Sequence, residues 1–343
     1  MTEPKRVAVV GGTGNLGGSV ALSLHRNSAF NVRVLSRNAE APKANRLAQL
    51  GIEVVTANGW DVSALDKALA GCWALFINID SDNPKIPLTD IELEQEEQWK
   101  SGKQPSEFDM GKNIIDCAVR AGVRHLVHAS LPAASKLTDG RVPMISFDDK
   151  SRISEYMMAA VETHAIETGT VVNAGWFLEN AFDPKYIVSF GGFAGAVDPD
   201  GYLTWKTPPM GNKPESVPWL AVADDYGDLV HGVLLDPARW NGQYIDGVSE
   251  SMGFGDLTWT FQNVTGKKSR YLPVDNGVLT AGEATKTKEV NGLFDLMHAL
   301  HGCFFNGRPT EHEKARLLKQ AALAATGRQG GLMTVEQFFR KYA

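Results

Sequence analysis

The chain has 343 residues, of which 43% are hydrophobic and 22% charged, with a formal net charge of −6. This length and balance suit one large or two closely packed globular domains, and the acidic surplus supplies no basic field for direct nucleic-acid binding. Cys72, Cys117 and Cys303, an odd set in a chain with intracellular features, read as thiols and not bridges. Met1 to Arg6 bring no secretory apolar stretch, and Ile187 to Val197 falls well short of the roughly 20 residues of a bilayer span. The chain is expected in the cytoplasm, with the nucleus as a second compartment.

The apolar run Val7 to Val10 predicts a strand that feeds Gly11-Gly12-Thr13-Gly14-Asn15-Leu16-Gly17-Gly18, followed by a helix with Leu16, Val20 and Leu24 on one face. Gly11, Gly14 and Gly17 give the G-x-x-G-x-x-G spacing of a dinucleotide turn: a tight turn, a close backbone approach to pyrophosphate, and close helix–strand packing. Helix amides then face the anion. The second strand, Asn31 to Leu35, ends at Ser36-Arg37-Asn38, where an NAD-selective site would present a carboxylate. Arg37, with Lys43 nearby, points instead to the 2′-phosphate of NADP(H).

A third strand over 52–55 is followed by Asn58-Gly59-Trp60-Asp61, a helix over 62–69, and a fourth strand over 73–79 that includes Asn78. Asp80 to Glu107 reads as a polar insertion, with an acidic run at 92–97 that fits a solvated helix or lid. A helix over 111–121 precedes a fifth strand, His125 to Ser130. Ser130 thus stands at the strand edge where open parallel sheets bind ligands, and either substrate contact or turn chemistry explains it. Phe147-Asp148-Asp149-Lys150 opens another helix, Thr170 to Ala174 forms a sixth strand, and Gly175-Trp176-Phe177-Leu178-Glu179-Asn180 follows it.

The Gly-, Pro- and aromatic-rich stretch 182–222 predicts short strands and loops capping a pocket. Trp176 and Phe177, with Trp205 and Trp219, either line that pocket for a flat apolar substrate or belong to a core. A helix from Val222, a strand over 243–247 returning to the sheet, and a mainly helical remainder with one strand at Ser269 to Pro273 complete the pattern. His298, His301 and Cys303 lack a convincingly spaced fourth ligand, His312 further on included, so no metal is expected. The predicted fold is a Rossmann-type doubly wound parallel sheet with a smaller α+β C-terminal lobe. Residues 1–182 and about 222–248 form the NADP(H) domain; about 183–221 and 249–343 form the substrate or partner lobe.

The segments Gly11 to Gly17, Val34 to Asn38, Phe147 to Lys150 and Gly175 to Asn180 resemble the NmrA-like family, an atypical branch of the short-chain dehydrogenase/reductases. The resemblance continues through Val217-Pro218-Trp219, Asp224-Asp225, Leu235 to Gly242 and Val264 to Lys268. Lys136 to Arg141 is especially similar to the NmrA-like family domain-containing type. It implies NADP(H) in a cleft and two fates: hydride transfer to a small molecule, as in isoflavone and phenylcoumaran reductases, or cofactor sensing coupled to a regulatory protein partner. The candidate cofactor contacts are Gly11, Thr13, Gly14, Asn15, Leu16, Gly17, Arg37, Asn38, Lys43, Asp61, Asn78, Lys150, Gly175, Trp176 and Phe177. A monomer or homodimer is expected.

Typical short-chain reductases use Tyr-x-x-x-Lys, in which the phenol is the acid. Lys150 matches the lysine, but Ser146 stands in the tyrosine's place and Tyr156 projects roughly 120° around the helix. Ordinary ketone reduction is therefore disfavoured. A conjugated, imine or aromatic substrate, which needs little acid help, suits Lys150, which otherwise serves only to bind ribose hydroxyls.

Overall fold

The computed structural model describes residues 3–79, 106–193, 195, 197–211, 216–277 and 284–343. Most of the polar insertion, including its acidic run, lies outside the described residues. In chain order the first half comprises β1 (Lys5–Val10), α1 (Asn15–His25), β2 (Phe30–Ser36), α2 (Pro42–Gln49), β3 (Glu53–Thr56), α3 (Val62–Leu69), β4 (Ala74–Ile77), α4 (Glu107–Arg120), β5 (His125–Ser130), α5 (Ala134–Leu137), α6 (Ile145–Glu162) and β6 (Thr168–Ala174). The second half contains β7 (Trp176–Phe177), α7 (Pro184–Phe190), β8 (Leu203–Thr207), β9 (Val217–Leu220), α8 (Gly227–Leu235), β10 (Tyr244–Gly247), β11 (Glu250–Met252), α9 (Phe254–Thr265), β12 (Ser269–Pro273), α10 (Ala284–Ala299), α11 (Glu313–Ala325) and α12 (Val335–Tyr342).

Seven strands form one sheet in the order β10-β6-β5-β4-β1-β2-β3, and every pairing is parallel. Strand order reverses between β1 and β4, so the crevice beyond their carboxyl ends is where a doubly wound sheet receives a ligand. The central strands are covered on both faces, which is why β4 reads as the unbroken apolar run Ala74-Leu75-Phe76-Ile77. In β1, Val7 and Val9 join an apolar cluster with Val20, Leu24 and Leu229, whereas Ala8 joins Leu75, Ile114 and Met157 on the other face. That alternation is the strand period of two expressed as two helical layers.

A third cluster lies outside this sandwich. Trp205, Trp219, Phe254, Phe261, Phe294 and Phe338 are fully buried in it, beneath the small sheet β11-β9-β7 and the parallel pair β12-β8. Phe193 stacks on Phe261 with ring centroids 3.8 Å apart. The sequence places Ser269 to Pro273 as a strand, and β12 has those limits; the helix predicted from Gly111 begins four residues earlier, at Glu107. Ser106 and Asp109 form a reciprocal capping box there and fix the earlier start.

Candidate functional site

The turn after β1 is built by backbone that excludes side chains. Gly11 has φ +71°, and a Cβ on it would collide with the Asn78 carbonyl; one on Gly17 would strike the Gly11 carbonyl. The Gly14 amide donates to the Gly11 carbonyl at 2.9 Å, and α1 begins at Gly14 with no side chain capping its amides. An uncapped helix start behind a glycine turn fits a pyrophosphate, because free N–H groups and the helix dipole both favour negative charge. Thr13 is half-buried, while Gly14 and Asn15 are exposed on this turn.

Arg37 and Lys43 are exposed and make no hydrogen bond or ion pair with a described residue. Lys43 lies in the first turn of α2, and the loop that carries Arg37 is ordered from within. Ser36 Oγ donates to the Asn38 carbonyl at 2.9 Å, and Asn38 Oδ1 accepts from the Glu40 amide at 2.9 Å. Asp61 has a different placement. Its carboxylate caps α3 by accepting from the Ala64 amide at 2.9 Å, and it borders a separate surface cleft with Arg33, Ser63 and Lys67. Capping accounts for this residue without a cofactor.

Beside the turn lies a cavity of about 240 Å³. Leu16 and Asn78 border it on the turn side; Ser130, Lys150, Gly175 and Phe177 come from the sheet edge and α6; Trp176, Phe190, Trp205, Trp219, Leu293 and Phe304 close it from the aromatic cluster. The structure thus brings Leu16, Asn78, Ser130, Lys150, Gly175 and the four named aromatics to one space. The choice between pocket and core does not divide these aromatics. Trp176 meets Trp219, Phe254 and Phe294 edge-to-face at 6.0, 5.9 and 5.6 Å while it lines the cavity. Trp219 is anchored by its Nε1, which donates to the Met252 carbonyl at 3.0 Å.

The polar side of the cavity is small. Lys150 forms a hydrogen-bonded ion pair with Glu107, and their side chains are only 16% and 8% exposed. Ser130 Oγ donates to the Lys150 carbonyl at 3.1 Å and accepts from Ser154 Oγ at 2.9 Å. His128 Nδ1 lies 2.9 Å from Ser154 Oγ. Burial, helped by the Lys150 charge, pulls the His128 imidazole down to about 3, so it is neutral near pH 7. The Ser130 hydroxyl therefore ties β5 to α6 at the turn that carries Lys150. Asn180 also borders the cavity, and Glu179 accepts from the Ala223 amide at 2.9 Å.

Ser146, in the tyrosine's place, does not border the cavity. Its Oγ donates to Glu289 Oε2 at 2.5 Å, and the Ile145 amide donates to Glu289 Oε1 at 2.9 Å, so α10 caps the start of α6. Tyr156 donates to Asp116 at 2.7 Å on the opposite side of α6, against Phe108. No phenol therefore stands beside Lys150. Glu107 and Ser154 are the residues sequence reasoning missed; Ser154 lies four residues after Lys150, a helical spacing that could have flagged it.

The family model described as the NmrA-like family matches residues 3–299. The chain is 40% identical over 335 residues to the NmrA-like family domain-containing oxidoreductase lnaB of Aspergillus flavus, covering 96% of this chain and 94% of that protein. It is 36% identical to the NmrA-like family domain-containing oxidoreductase hkm9 of Aspergillus hancockii, covering 98% and 96%. Among solved structures, NmrA, a negative transcriptional regulator in complex with NADP, superposes with TM-score 0.75 at 18% identity over 99% of this chain and 96% of that one. The NADPH-dependent quinone oxidoreductase QOR2 of Escherichia coli, complexed with NADPH, gives 0.65 at 19% over 98% and 99%. The parallel sheet, its glycine turn and these matches along almost the whole length have one meaning: the chain belongs to the NmrA-like family.

Proposed function

We propose that this protein is an NADPH-dependent reductase of a small conjugated, imine or aromatic metabolite. The observation that carries the reading is Lys150, an ammonium at the wall of an otherwise largely apolar cavity beside the uncapped start of α1. The names of the oxidoreductase relatives and the NADP- and NADPH-bound structural neighbours support it. In this reading residues 1–182 and about 222–248 hold the dinucleotide, and the rest of the chain closes the substrate side.

When bound, NADPH supplies the hydride. Gly11, Gly14 and Gly17 would admit its pyrophosphate, Thr13, Asn15 and Asn38 would contact it, and Arg37 with Lys43 would pair its 2′-phosphate. The aromatic walls exclude water and stack a flat substrate. Lys150 donates a proton to the atom on which negative charge collects, and its amine is reprotonated from solvent. Asn78 and Asn180 offer amides for orientation. NADPH absorbance, followed with a panel of enones, imines and quinones, tests this directly. At least one substrate is expected to turn over, and Lys150→Ala should reduce its rate by about 10²–10⁴-fold; an undiminished rate would remove Lys150 from the chemistry.

A second reading, a catalytically silent dinucleotide sensor acting on a protein partner, is favoured by one observation: Ser146 is committed to Glu289 and leaves no phenol at the site. NADPH binding with no oxidation of it across the panel would support that reading.

A further inference from the structure

Lys150 is not a lone cation in its cavity, and its partner comes from a different helix. Glu107 is the first residue of α4, forty-three positions before Lys150 in sequence, and its carboxylate accepts a hydrogen bond from Lys150 Nζ. Several contacts hold the two helices at this separation. The Phe108 amide donates to Asp149 Oδ2 at 3.4 Å, Arg152 pairs with Asp149 at 2.9 Å, and the Arg152 guanidinium lies 4.0 Å from the Phe108 ring centroid. One turn further into α4, Gly111 lies against the Ile153 side chain so closely that a Cβ could not be accommodated. The capping box of Ser106 and Asp109 sets the first turn in which Glu107 stands, and negative charge is favoured at a helix start.

We propose that Glu107 is a positioning residue for Lys150. Its carboxylate accepts from Lys150 Nζ and so fixes where that nitrogen stands at the cavity wall, where substrate meets it. The proposal rests on the reductase reading for its role in turnover, but not for the pairing itself. After hydride reaches the substrate's electrophilic carbon from NADPH, the N–H bond of Lys150 breaks and its proton joins the resulting anion. NADPH is oxidised, the substrate is reduced by two electrons, and water restores the proton to the lysine amine. Glu107 exchanges no atom with substrate; it holds Lys150 Nζ in place by pairing with it. A cation in an apolar wall is disfavoured without an opposite charge, and one at hydrogen-bond distance restores it.

The test uses the purified full-length protein and needs no knowledge of the substrate. Competitive labelling by acetic anhydride, which reacts only with unprotonated amines, is followed at Lys150 by mass spectrometry from pH 7 to 9, with exposed Lys136 as the internal reference. Glu107→Gln is expected to acetylate Lys150 about fivefold or more faster than wild type at pH 8, because the charged form has lost its partner. Glu107→Asp, which keeps the charge, should return labelling to within about twofold of wild type. Glu107→Ala replaces the Gln variant if that protein does not fold. Equal labelling in wild type and the uncharged variant, or equal labelling in the Asp and uncharged variants, would overturn the proposal. Undiminished turnover in Lys150→Ala would instead sink the reductase reading and leave the labelling result standing, so the two failures are distinguishable.

Discussion

The two ends of α1 are built on opposite principles. At its start, Gly14 provides no side-chain cap, and the side chains of Arg37 in the neighbouring loop and Lys43 in the first turn of α2 make no hydrogen bond or ion pair with a described residue. Near its other end a buried cluster of charges is paired within the chain. Ser23 donates to Asp228; Lys319 pairs with Asp228 at 2.7 Å and Asp225 at 3.0 Å; Arg328 reaches Asp228 at 2.7 Å. His231 lies between Ser23 and Asn27, at 3.1 and 2.9 Å. Asp225 also accepts from Ser249 Oγ at 2.5 Å and from the Met333 amide at 2.9 Å. Charges satisfied within the chain fasten α11 and the segment after it to the sheet sandwich, whereas Arg37 and Lys43 stand exposed beside the glycine turn. A helix held rigidly at one end presents the other already shaped for its anion, which lowers the cost of binding.

The largest expected effect falls on the fastened end. Asp228→Asn leaves Arg328 without its carboxylate and weakens the hold on buried Lys319, so urea unfolding should show a loss of about 3 kcal/mol, while NADPH affinity at 25 °C changes little. A comparable loss of affinity in the folded variant would break the separation between the two ends. Arg37→Ala should do the reverse. NADPH binding is expected to weaken by about 10–30-fold, the scale of a charge-assisted hydrogen bond, with NADH binding and unfolding free energy nearly unchanged. Equal weakening for both dinucleotides would remove Arg37 from the 2′-phosphate.

The smallest effect sharpens the comparison through pH. Burial lowers His128 to about 3 and both His125 and His231 to about 4, below the ordinary value of 6.5. The unfolded chain therefore takes up protons below pH 6.5 that the folded chain refuses, and stability is lost as pH falls toward 4. Between pH 7 and pH 6 each histidine contributes a loss of about 0.7 kcal/mol. Asp246, raised to about 6 by burial, opposes them over the same interval by about 0.4 kcal/mol. Urea unfolding should therefore show a net fall of about 1.7 kcal/mol on going from pH 7 to pH 6; a rise would contradict the neutral, buried state of the three imidazoles.

What the sequence revealed follows the range of the interactions. Strand and turn signals are local: Val7 to Val10 is apolar because both sheet faces are covered, and Gly11 to Gly17 is glycine-rich because backbone passes backbone there. The return of 243–247 to the main sheet was legible from its place after a helix, and β10 pairs with β6 there. The Lys150–Glu107 pair was not, because its partners are separated by most of α4, β5 and the segment before α6. Nor was the Asp225–Asp228–Lys319 cluster, which joins residues more than ninety positions apart. Asp61 shows the opposite difficulty: an acidic residue after a strand on the ligand edge suits a cofactor contact, yet the same residue type is favoured as a helix cap, and its carboxylate is used as one. Trp176 could not be assigned to pocket or core from its type because its two faces do both.

The most direct measurement of the central claim is label transfer from NADPH deuterated at C4 of its dihydronicotinamide ring, with the product of the best substrate in the panel analysed by mass spectrometry. Deuterium at one product carbon in the wild-type reaction, with product formation lost in Lys150→Ala, is the predicted result. Failure of both C4-deuterated epimers of NADPH to label the product would contradict hydride transfer at this site.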